Sequence, residues 1–364
     1  MRKIIVNSST KSYPVVIGEN IFKSIPELIG KYKLPNRIFV IIDSNIDKFY
    51  GQTIRKVVGE CADKKFFMVM SVSESLKSLK SIQKIFSNLH QENFGRDTLL
   101  IVIGGGILGD LGGFCSSIYM RGTNLIQIPT TLLSAVDSSI GGKNGVNFHK
   151  AKNLIGTFYP PSLVLIDTNF LKSLSRKELI SGFGEVIKYA YLNNSSLYST
   201  LLSDYKLLKK NNTEFLNRII YESVKVKSAI VSDDEFEKSG LRKILNFGHT
   251  FAHAFESNSG YRLSHGKAVI AGIVCSLILS FKSGLINHQQ LQDMLELPLK
   301  FKSAIKLKSF NEKEIFRLMS FDKKNRDGQV NFVLIKNFGE MLVDVSVEKK
   351  LVYNSLKEVK RILV

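Results

Sequence analysis

Cysteine is scarce in this chain: Cys61, Cys115 and Cys275 are the three among 364 residues, and no two of them form a Cys-x-x-Cys pair. This spacing excludes a disulfide-rich scaffold and a zinc site built from cysteine thiolates. It is typical of proteins from a reducing compartment, so we expect a cytoplasmic location.

Long apolar runs are also missing. The longest covers residues 268–281 and is interrupted by Gly272 and by two serines, so it predicts a core helix rather than a membrane span. The apolar run at residues 4–6 is too short for the core of a signal peptide, and we expect no leader sequence.

Acidic residues are few relative to basic ones, with 32 Asp and Glu against 51 Lys and Arg and a net charge of +19. Such an excess can indicate a nucleic-acid partner. The lysines are spread over the whole chain, however, without a dense basic arm or a nucleic-acid motif. We therefore expect a lysine-rich surface, some cations that face an anionic substrate, and no nucleic-acid or membrane partner.

The hydrophobic pattern changes character near residue 170. Before it, apolar runs typical of buried strands alternate with helical spacing and predict a mostly parallel sheet covered on both faces; the strands fall at residues 37–42, 65–69, 99–103, 125–128 and 163–166. After it, helical periodicity dominates at residues 176–192, 196–210, 213–231, 241–257 and 266–284, and a hairpin is predicted at 330–336 and 340–345.

These patterns predict two domains. We expect an α/β nucleotide-binding domain with a mostly parallel sheet over residues 1–170, followed by a mainly α-helical domain over residues 171–364. The active site is expected in the cleft between them.

A glycine-rich turn follows the predicted strand at 99–103. Gly104, Gly106 and Gly109 form G-x-G-x-x-G, in which backbone amides can approach a pyrophosphate. The acid that dinucleotide-binding turns carry about twenty residues downstream is absent. Asp43, at the end of an earlier strand, is the better candidate for a ribose contact, and a tight structural turn remains the alternative.

Polar residues crowd between glycines farther on, in Y-M-R-G at 119–122, Q-I-P-T-T at 127–131, V-D-S-S-I-G-G-K at 136–143 and K-N-L-I-G at 152–156. Hydroxyls, an Asp, an Arg, two Lys and an Asn suit a small anionic ligand beside a nucleotide. The composition would also fit a surface loop.

Half of the six histidines lie within seventeen residues, at His249, His253 and His265. His249 and His253 are four residues apart and share one face of a predicted helix, so the spacing favours this pair as metal ligands. Glu185, on another predicted helix, can supply the carboxylate of a His₂Glu site. Glu185 and Lys188 share a helix face and can equally form an ordinary ion pair.

Taken together, these blocks resemble the 3-dehydroquinate synthase family of the sugar phosphate cyclase group. The similar segments include G-G-G-I-L-G-D-L-G-G-F, Q-I-P-T-T-L-L-S-A-V-D-S-S-I-G-G-K, G-E-V-I-K-Y, L-R-K-I-L-N-F-G-H-T-F-A-H-A-F-E, H-G-K-A-V and F-D-K-K-N, in family order from about residue 40 to 335. The resemblance implies an NAD-dependent and metal-dependent lyase with Zn²⁺ or Co²⁺, assembled as a homodimer. It implies that the substrate is 3-deoxy-arabino-heptulosonate 7-phosphate.

The resemblance also assigns roles. The implied metal ligands are Glu185, His249 and His265, which places His253 at the substrate instead. The implied NAD contacts are Asp43, Glu74, Lys77, Gly105, Gly106, Asp110, Thr130 and Thr131. The implied substrate contacts are Asp137, Lys143, Lys152, Asn153, Lys188, Lys227, Arg242, Asn246, His253 and Lys324, with Lys323 as the alternative to Lys324, and Arg121 is expected to reach the phosphate from the neighbouring subunit.

The sequence departs from the family pattern at a few positions. Gly112 and Gly184 stand where Ala is common, and Lys267 stands where Glu is common. We expect Gly184 only to loosen helix packing. Two alternatives stay open: a cyclase of the same group acting on another sugar phosphate, of the 2-deoxy-scyllo-inosose or valiolone synthase type, and a metal-dependent polyol dehydrogenase of the glycerol dehydrogenase type.

Overall fold

The computed structural model describes residues 1–149, 151–193, 195–210, 212–320 and 330–364. The strands are β1 (Arg2–Val6), β2 (Tyr13–Gly18), β3 (Arg37–Asp43), β4 (Lys64–Met70), β5 (Thr98–Gly104), β6 (Asn124–Pro129), β7 (Lys143–Phe148), β8 (Ala151–Phe158), β9 (Leu163–Asp167), β10 (Asn331–Asn337) and β11 (Glu340–Ser346). The α-helices are α1 (Ile25–Lys31), α2 (Ser44–Gly59), α3 (Leu79–Gln91), α4 (Gly106–Ile118), α5 (Arg176–Asn193), α6 (Ser195–Asp204), α7 (Thr213–Asp233), α8 (His249–Asn258), α9 (His265–Lys282), α10 (His288–Leu299), α11 (Lys302–Ile305), α12 (Glu312–Ser320) and α13 (Lys349–Leu363).

These elements group into two compact units. The first contains Met1–Ser175 and Asn211–Phe236, and the second contains Arg176–Lys210 and Glu237–Val364. The first unit therefore includes α7, which lies far along the chain from the rest of that unit. The amide of Asn7 donates to Ser232 Oγ at 3.2 Å, and Arg2 lies 5.0 Å from the ring centre of Tyr221.

The first unit is built on a seven-stranded sheet in the order β1-β2-β9-β6-β5-β3-β4. β1 runs antiparallel to β2, and every other pairing is parallel. Its central strands are rich in Ile, Val and Leu and buried on both faces, as strands covered by helices must be. The predicted α/β domain with a mostly parallel sheet is confirmed.

The two faces of this sheet have separate cores. On one face Ile38, Val40 and Ile42 pack with residues of α1 and α2. On the other face Phe39 and Ile41 pack with residues of α3 and α4. Because side chains alternate along a strand, one continuous apolar run supplies both cores.

Two features of the first unit escape the sequence pattern. β2, which includes Pro14, lies beside the edge strand β1 and was not predicted. β7 and β8 form an antiparallel hairpin from the polar, glycine-rich segment, with Gly145 opposite Gly156. Backbone pairing organises this segment where the hydrophobic pattern is too weak to predict strands.

Within its described residues, the second unit is helical apart from the β10–β11 hairpin, as predicted. The predicted helix over 241–257 is interrupted: a 3₁₀ segment, Leu241–Asn246, precedes α8, and Gly248 between them has φ 79°. A Cβ at Gly272 of α9 would lie 2.0 Å from the carbonyl oxygen of Gly248. The break lets the start of α8 contact α9 directly.

Helix α9 is long and apolar enough to cross a membrane by length and composition. In the structure 78% of its apolar window is buried inside the protein. This is the core helix that the interrupted apolar run predicts.

Helices α5 and α9 approach each other through two glycines. A Cβ at Gly184 would lie 2.3 Å from the carbonyl oxygen of Gly266, and a Cβ at Gly266 would lie 1.8 Å from the carbonyl oxygen of Ser181. The expectation that Gly184 only loosens packing is therefore wrong, because its missing side chain is what allows this contact.

We expect Gly184→Ala to lower the free energy of unfolding by about 1–3 kcal/mol, because the added methyl group forces two backbones apart. Urea unfolding at neutral pH measures the change. Gly30→Ala in α1 is the control, since nothing lies within 4 Å of its Cβ position and we expect little effect. Unchanged stability of Gly184→Ala would contradict this account of the helix contact.

Candidate active site

The carboxyl ends of three neighbouring strands meet at one edge of the large sheet. β3 ends at Asp43, β5 at Gly104 and β6 at Pro129, and Gly104 pairs in register with Pro129. Helix α2 follows β3 on one face of the sheet, and α4 follows β5 on the other face. From β3 the chain continues to β4 on one side, and from β5 it continues to β6 on the opposite side, so the order of strand addition switches between β3 and β5. Open α/β sheets bind ligands at such a switch point.

The first turn of α4 is open to a ligand. Gly105 precedes this thirteen-residue helix and no side chain caps its amides. A Cβ at Gly105 would lie 3.1 Å from Thr131 Cγ2, and a Cβ at Gly106 would lie 2.8 Å from Ser138 Oγ. Helix amides that carry positive potential and are not capped by a side chain can receive a phosphate oxygen.

Asp110 lies on α4 and forms a buried ion pair with Lys77. Burial raises the pKa of Asp110 to about 6, although the charge and the hydrogen bond of Lys77 oppose that rise. The charges of Asp137 and Lys227 also act on Asp110, so these four residues lie in one charged neighbourhood. Lys227 Nζ donates to Asp137 Oδ1 at 2.7 Å and to its carbonyl oxygen at 2.5 Å.

A second polar group joins the β7–β8 hairpin to the segment before α3. Asn147 Nδ2 donates to Glu74 Oε1 at 2.9 Å, and the amide of Asn153 donates to Asn147 Oδ1 at 3.0 Å. Lys152 Nζ lies 3.9 Å from Glu74 Oε1, and the amide of Asn147 donates to the carbonyl of Lys77 at 2.8 Å. Asn147 was not predicted from the sequence, where its only signal is its position in a polar, glycine-rich segment.

Asp43, Thr130, Lys143 and Arg121 are further expected residues of the first unit. Asp43 caps α2 by accepting a hydrogen bond from the Asn45 amide at 2.9 Å. The amide of Thr130 donates to the Gly104 carbonyl at 3.0 Å, beside the open turn of α4. Lys143 and Arg121 are exposed, and Arg121 has a left-handed backbone with φ 66°.

In the second unit, Glu185, His249 and His265 converge from α5, α8 and α9. One ligand atom from each lies within 4.8 Å of the others. His249 Nε2 is 3.4 Å and His265 Nε2 is 3.3 Å from Glu185 Oε1. Two imidazoles and a carboxylate are the donor set of many catalytic zinc sites.

Glu185 is fully buried, and Lys188 pairs with its other carboxylate oxygen. Burial raises the pKa of Glu185, but the charge of Lys188 and the contacts with both histidines outweigh it and hold this pKa well below its usual range. Burial and the charge of Lys188 lower the pKa of His249 to about 4. These shifts favour the ligand forms of Glu185 and His249. Burial lowers the pKa of His265, but its contacts with Glu185 and Glu256 outweigh burial and raise this pKa to about 10. Metal binding would therefore release a proton from His265.

The outer nitrogens of both imidazoles are oriented by protein groups. His265 Nδ1 lies 3.3 Å from Glu256 Oε1, and His249 Nδ1 lies 3.3 Å from the carbonyl oxygen of Phe247. Such contacts fix ring orientation and direct each Nε2 toward a metal. Glu256 was missed in the sequence, although it lies on the same helix as His249 and His253.

His253 stands beside this cluster rather than in it. Its ring centre is 5.6 Å from that of His249, and His265 is slightly closer to His249 at 5.4 Å. The i, i+4 spacing favours His253 as the partner of His249, whereas the residue that joins His249 and Glu185 in the structure is His265. Arg242, which is buried, and Asn246 lie on the 3₁₀ segment before α8. Lys323 and Lys324 lie outside the described residues.

Replacing His265 and His253 separately distinguishes their roles. We expect His265→Ala to lose bound Zn²⁺, because it removes one of three donor atoms, whereas His253→Ala keeps it. Elemental analysis after dialysis against Zn²⁺ measures metal content, and circular dichroism checks the fold. Equal loss of metal from both variants would contradict this cluster.

The raised pKa of Asp110 predicts a pH effect on stability. The folded chain binds this proton more tightly than the unfolded chain does, so this group's contribution to stability falls as pH rises from about 4 to about 6 and is constant above that range. Asn does not titrate, so between pH 4 and pH 6.5 we expect the free energy of unfolding of Asp110→Asn to fall by about 2–3 kcal/mol less than that of the wild type. The comparison uses the change in urea-unfolding free energy between pH 4 and pH 6.5, because the variant also leaves Lys77 without its partner. Parallel pH profiles for the two proteins would refute it.

Comparison with known proteins agrees with this geometry. The sequence profile described as 3-dehydroquinate synthase N-terminal matches residues 67–181, and the one described as 3-dehydroquinate synthase C-terminal matches residues 182–325. The chain is 38% identical over 366 aligned residues to 3-dehydroquinate synthase from Pelagibacter ubique, and the match covers 98% of each protein.

Solved structures share the fold. The chain superimposes on 2-epi-5-epi-valiolone synthase from Streptomyces hygroscopicus, solved with NAD⁺ and Zn²⁺, with a TM-score of 0.85, 25% identity and 98% coverage of each chain. A structure of 2-deoxy-scyllo-inosose synthase with carbaglucose-6-phosphate, NAD⁺ and Co²⁺ gives a TM-score of 0.84 at 22% identity and full coverage of each chain. These two solved enzymes are other cyclases, whereas both sequence profiles and the relative that matches nearly the whole chain are 3-dehydroquinate synthases. The chain belongs to the 3-dehydroquinate synthase family.

Proposed function

We propose that this protein converts 3-deoxy-arabino-heptulosonate 7-phosphate to 3-dehydroquinate and phosphate. The observation that carries the proposal is the cluster of Glu185, His249 and His265. These residues come from three helices of the second unit, and one metal-binding atom of each lies within 4.8 Å of the others. The family membership and the open, uncapped turn of α4 support the same reaction.

Zn²⁺ or Co²⁺ and NAD fit the residues present. The buried carboxylate of Glu185 has no hydrogen bond of ordinary geometry within the described residues, and a divalent ion would satisfy it. Solved relatives of the same fold were crystallised with NAD⁺ and either Zn²⁺ or Co²⁺. The NAD contacts we propose lie at the carboxyl edge of the sheet and beside α4: Asp43, Glu74, Lys77, Gly105, Gly106, Asp110, Thr130 and Thr131.

Glu185, His249 and His265 would hold the metal, which would polarise the C5 hydroxyl, and bound NAD⁺ would accept the C5 hydride and later return it. The C5 ketone would make the neighbouring C6 proton acidic enough for phosphate to leave. Ring opening and an intramolecular aldol reaction then close the carbocycle. The leaving phosphate can remove the C6 proton itself, so the chain does not need a strong base.

The protein's own residues bind and orient the substrate. These residues share a positive or hydrogen-bonding group that suits a phosphate, a carboxylate or a hydroxyl. The substrate contacts that we propose are Arg121, Asp137, Lys143, Lys152, Asn153, Lys188, Lys227, Arg242, Asn246, His253 and Lys324. Lys188 already neutralises Glu185, and buried Arg242 suits the substrate carboxylate. Positioning and charge stabilisation are therefore the main contributions of the chain.

We propose a cytoplasmic homodimer in which Arg121 reaches the phosphate of the neighbouring subunit. The exposed side chain of Arg121 and its left-handed backbone support an outward position.

The decisive experiment supplies the heptulosonate phosphate, a catalytic amount of NAD⁺, and Zn²⁺ or Co²⁺ to the purified protein. We expect phosphate release equal to dehydroquinate formation, with no net NADH, since the hydride is returned. Glucose 6-phosphate, which lacks the carboxylate, should release phosphate at least about a hundredfold more slowly.

Each alternative gives its own result in the same assay. Net NADH with a polyol substrate would indicate a dehydrogenase, and faster turnover of glucose 6-phosphate would indicate a different cyclase. Failure to release phosphate from the heptulosonate phosphate would overturn the proposal.

A further inference from the structure

A cavity of about 200 Å³ lies within the second unit, between α5, α8, the start of α9 and the segment after α11. None of its lining residues belongs to the metal cluster or to the proposed substrate contacts. Its walls are apolar and are formed by Phe255, Leu263, Ile305, Leu307 and Phe310.

The rim of this cavity is strongly basic. It carries five cationic side chains and no acidic one, namely Lys177, Arg262, Lys267, Lys306 and Lys308. Lys177 and Lys306 lie close enough to Lys267 for their charges to act on its ammonium group. Among the described residues, none of these five side chains forms an ion pair.

Like charges gathered around a partly enclosed cavity repel one another, and a bound anion would remove that repulsion. At position 267, where the family resemblance leads us to expect Glu, this chain has Lys. The substitution removes a negative charge from the cluster and adds a positive one.

The N-terminus of helix α9 borders this cavity. Ser264 precedes this eighteen-residue helix and lines the cavity, although its Oγ is buried beneath the surface. In the first turn of α9 the amide of Gly266 donates to Ser181 Oγ at 3.4 Å. An anion at the cavity rim would gain the positive potential of the helix N-terminus.

We propose that this cavity binds a small molecule that carries a carboxylate on an aromatic or alicyclic ring. The ring contacts the apolar walls, and the carboxylate lies at the rim beside Lys267. The size is adequate, because an apolar cavity of about 150 Å³ accommodates benzene. A compact inorganic anion would not contact the apolar walls, so we expect both the ring and the carboxylate to contribute to the affinity. This inference does not depend on the proposed reaction.

The test titrates the full-length protein with benzoate by isothermal calorimetry at constant ionic strength. Benzyl alcohol has the ring without the charge, and acetate has the charge without the ring. We expect saturable, one-site binding of benzoate and at least about tenfold weaker binding of both controls.

Two variants locate the site. Lys267→Glu should weaken benzoate binding at least about tenfold by reversing a charge at the rim, and Ala304→Phe should block binding by filling the cavity without a charge change. Lys313→Glu, an exposed lysine of the same unit outside the cavity, is the matched control and should bind benzoate like the wild type. Circular dichroism and metal content show that each variant is folded.

Several results would overturn the proposal. They are no benzoate binding by the wild type, equal binding of acetate and benzoate, and equal weakening by Lys267→Glu and Lys313→Glu. Unchanged binding by a folded Ala304→Phe variant would place the ligand elsewhere and would also overturn it.

Discussion

The second unit is organised around the buried negative charge of Glu185. An ionised carboxylate without water is costly unless cations and donors surround it. Lys188 supplies the charge from the same helix, while His249 and His265 come from two other helices. The three helices must therefore meet closely, and glycines at 184, 248, 266 and 272 leave room for them to do so. A site able to bind a divalent ion is the result.

The first unit meets a different constraint. Its parallel strands bury both faces, so polar side chains can gather only where the strands end. The ion pairs Lys77–Asp110 and Lys227–Asp137 lie near that edge and place charge beside the uncapped turn of α4. Lys227 comes from α7, which the chain contributes to this unit only after forming two helices of the other unit.

Elements with strong periodicity were predictable. The strands that pair in the middle of the sheet, helices α5, α6 and α9 and the β10–β11 hairpin follow from local hydrophobic patterns, whereas no helix was predicted over α10 to α13. β7 and β8 were not predictable, because their stability comes from cross-strand pairing of polar and glycine residues such as Gly145 and Gly156. The break before α8 depends on the close contact of Gly248 with Gly272, which no local pattern records.

The sequence by itself determined the α/β-then-helical order and the family, because ordered motifs and periodicity are local properties of the chain. It also supplied the candidate ligands, including both His253 and His265 as partners for His249. The family resemblance already implied that Glu185, His249 and His265 are the ligands. Only the tertiary structure decided that their donor atoms lie within 4.8 Å of one another, that Glu256 orients His265 and that Asn147 links Glu74 to Asn153. The physical reason is that these contacts join segments far apart in the chain, whose distances are set by helix packing and strand pairing.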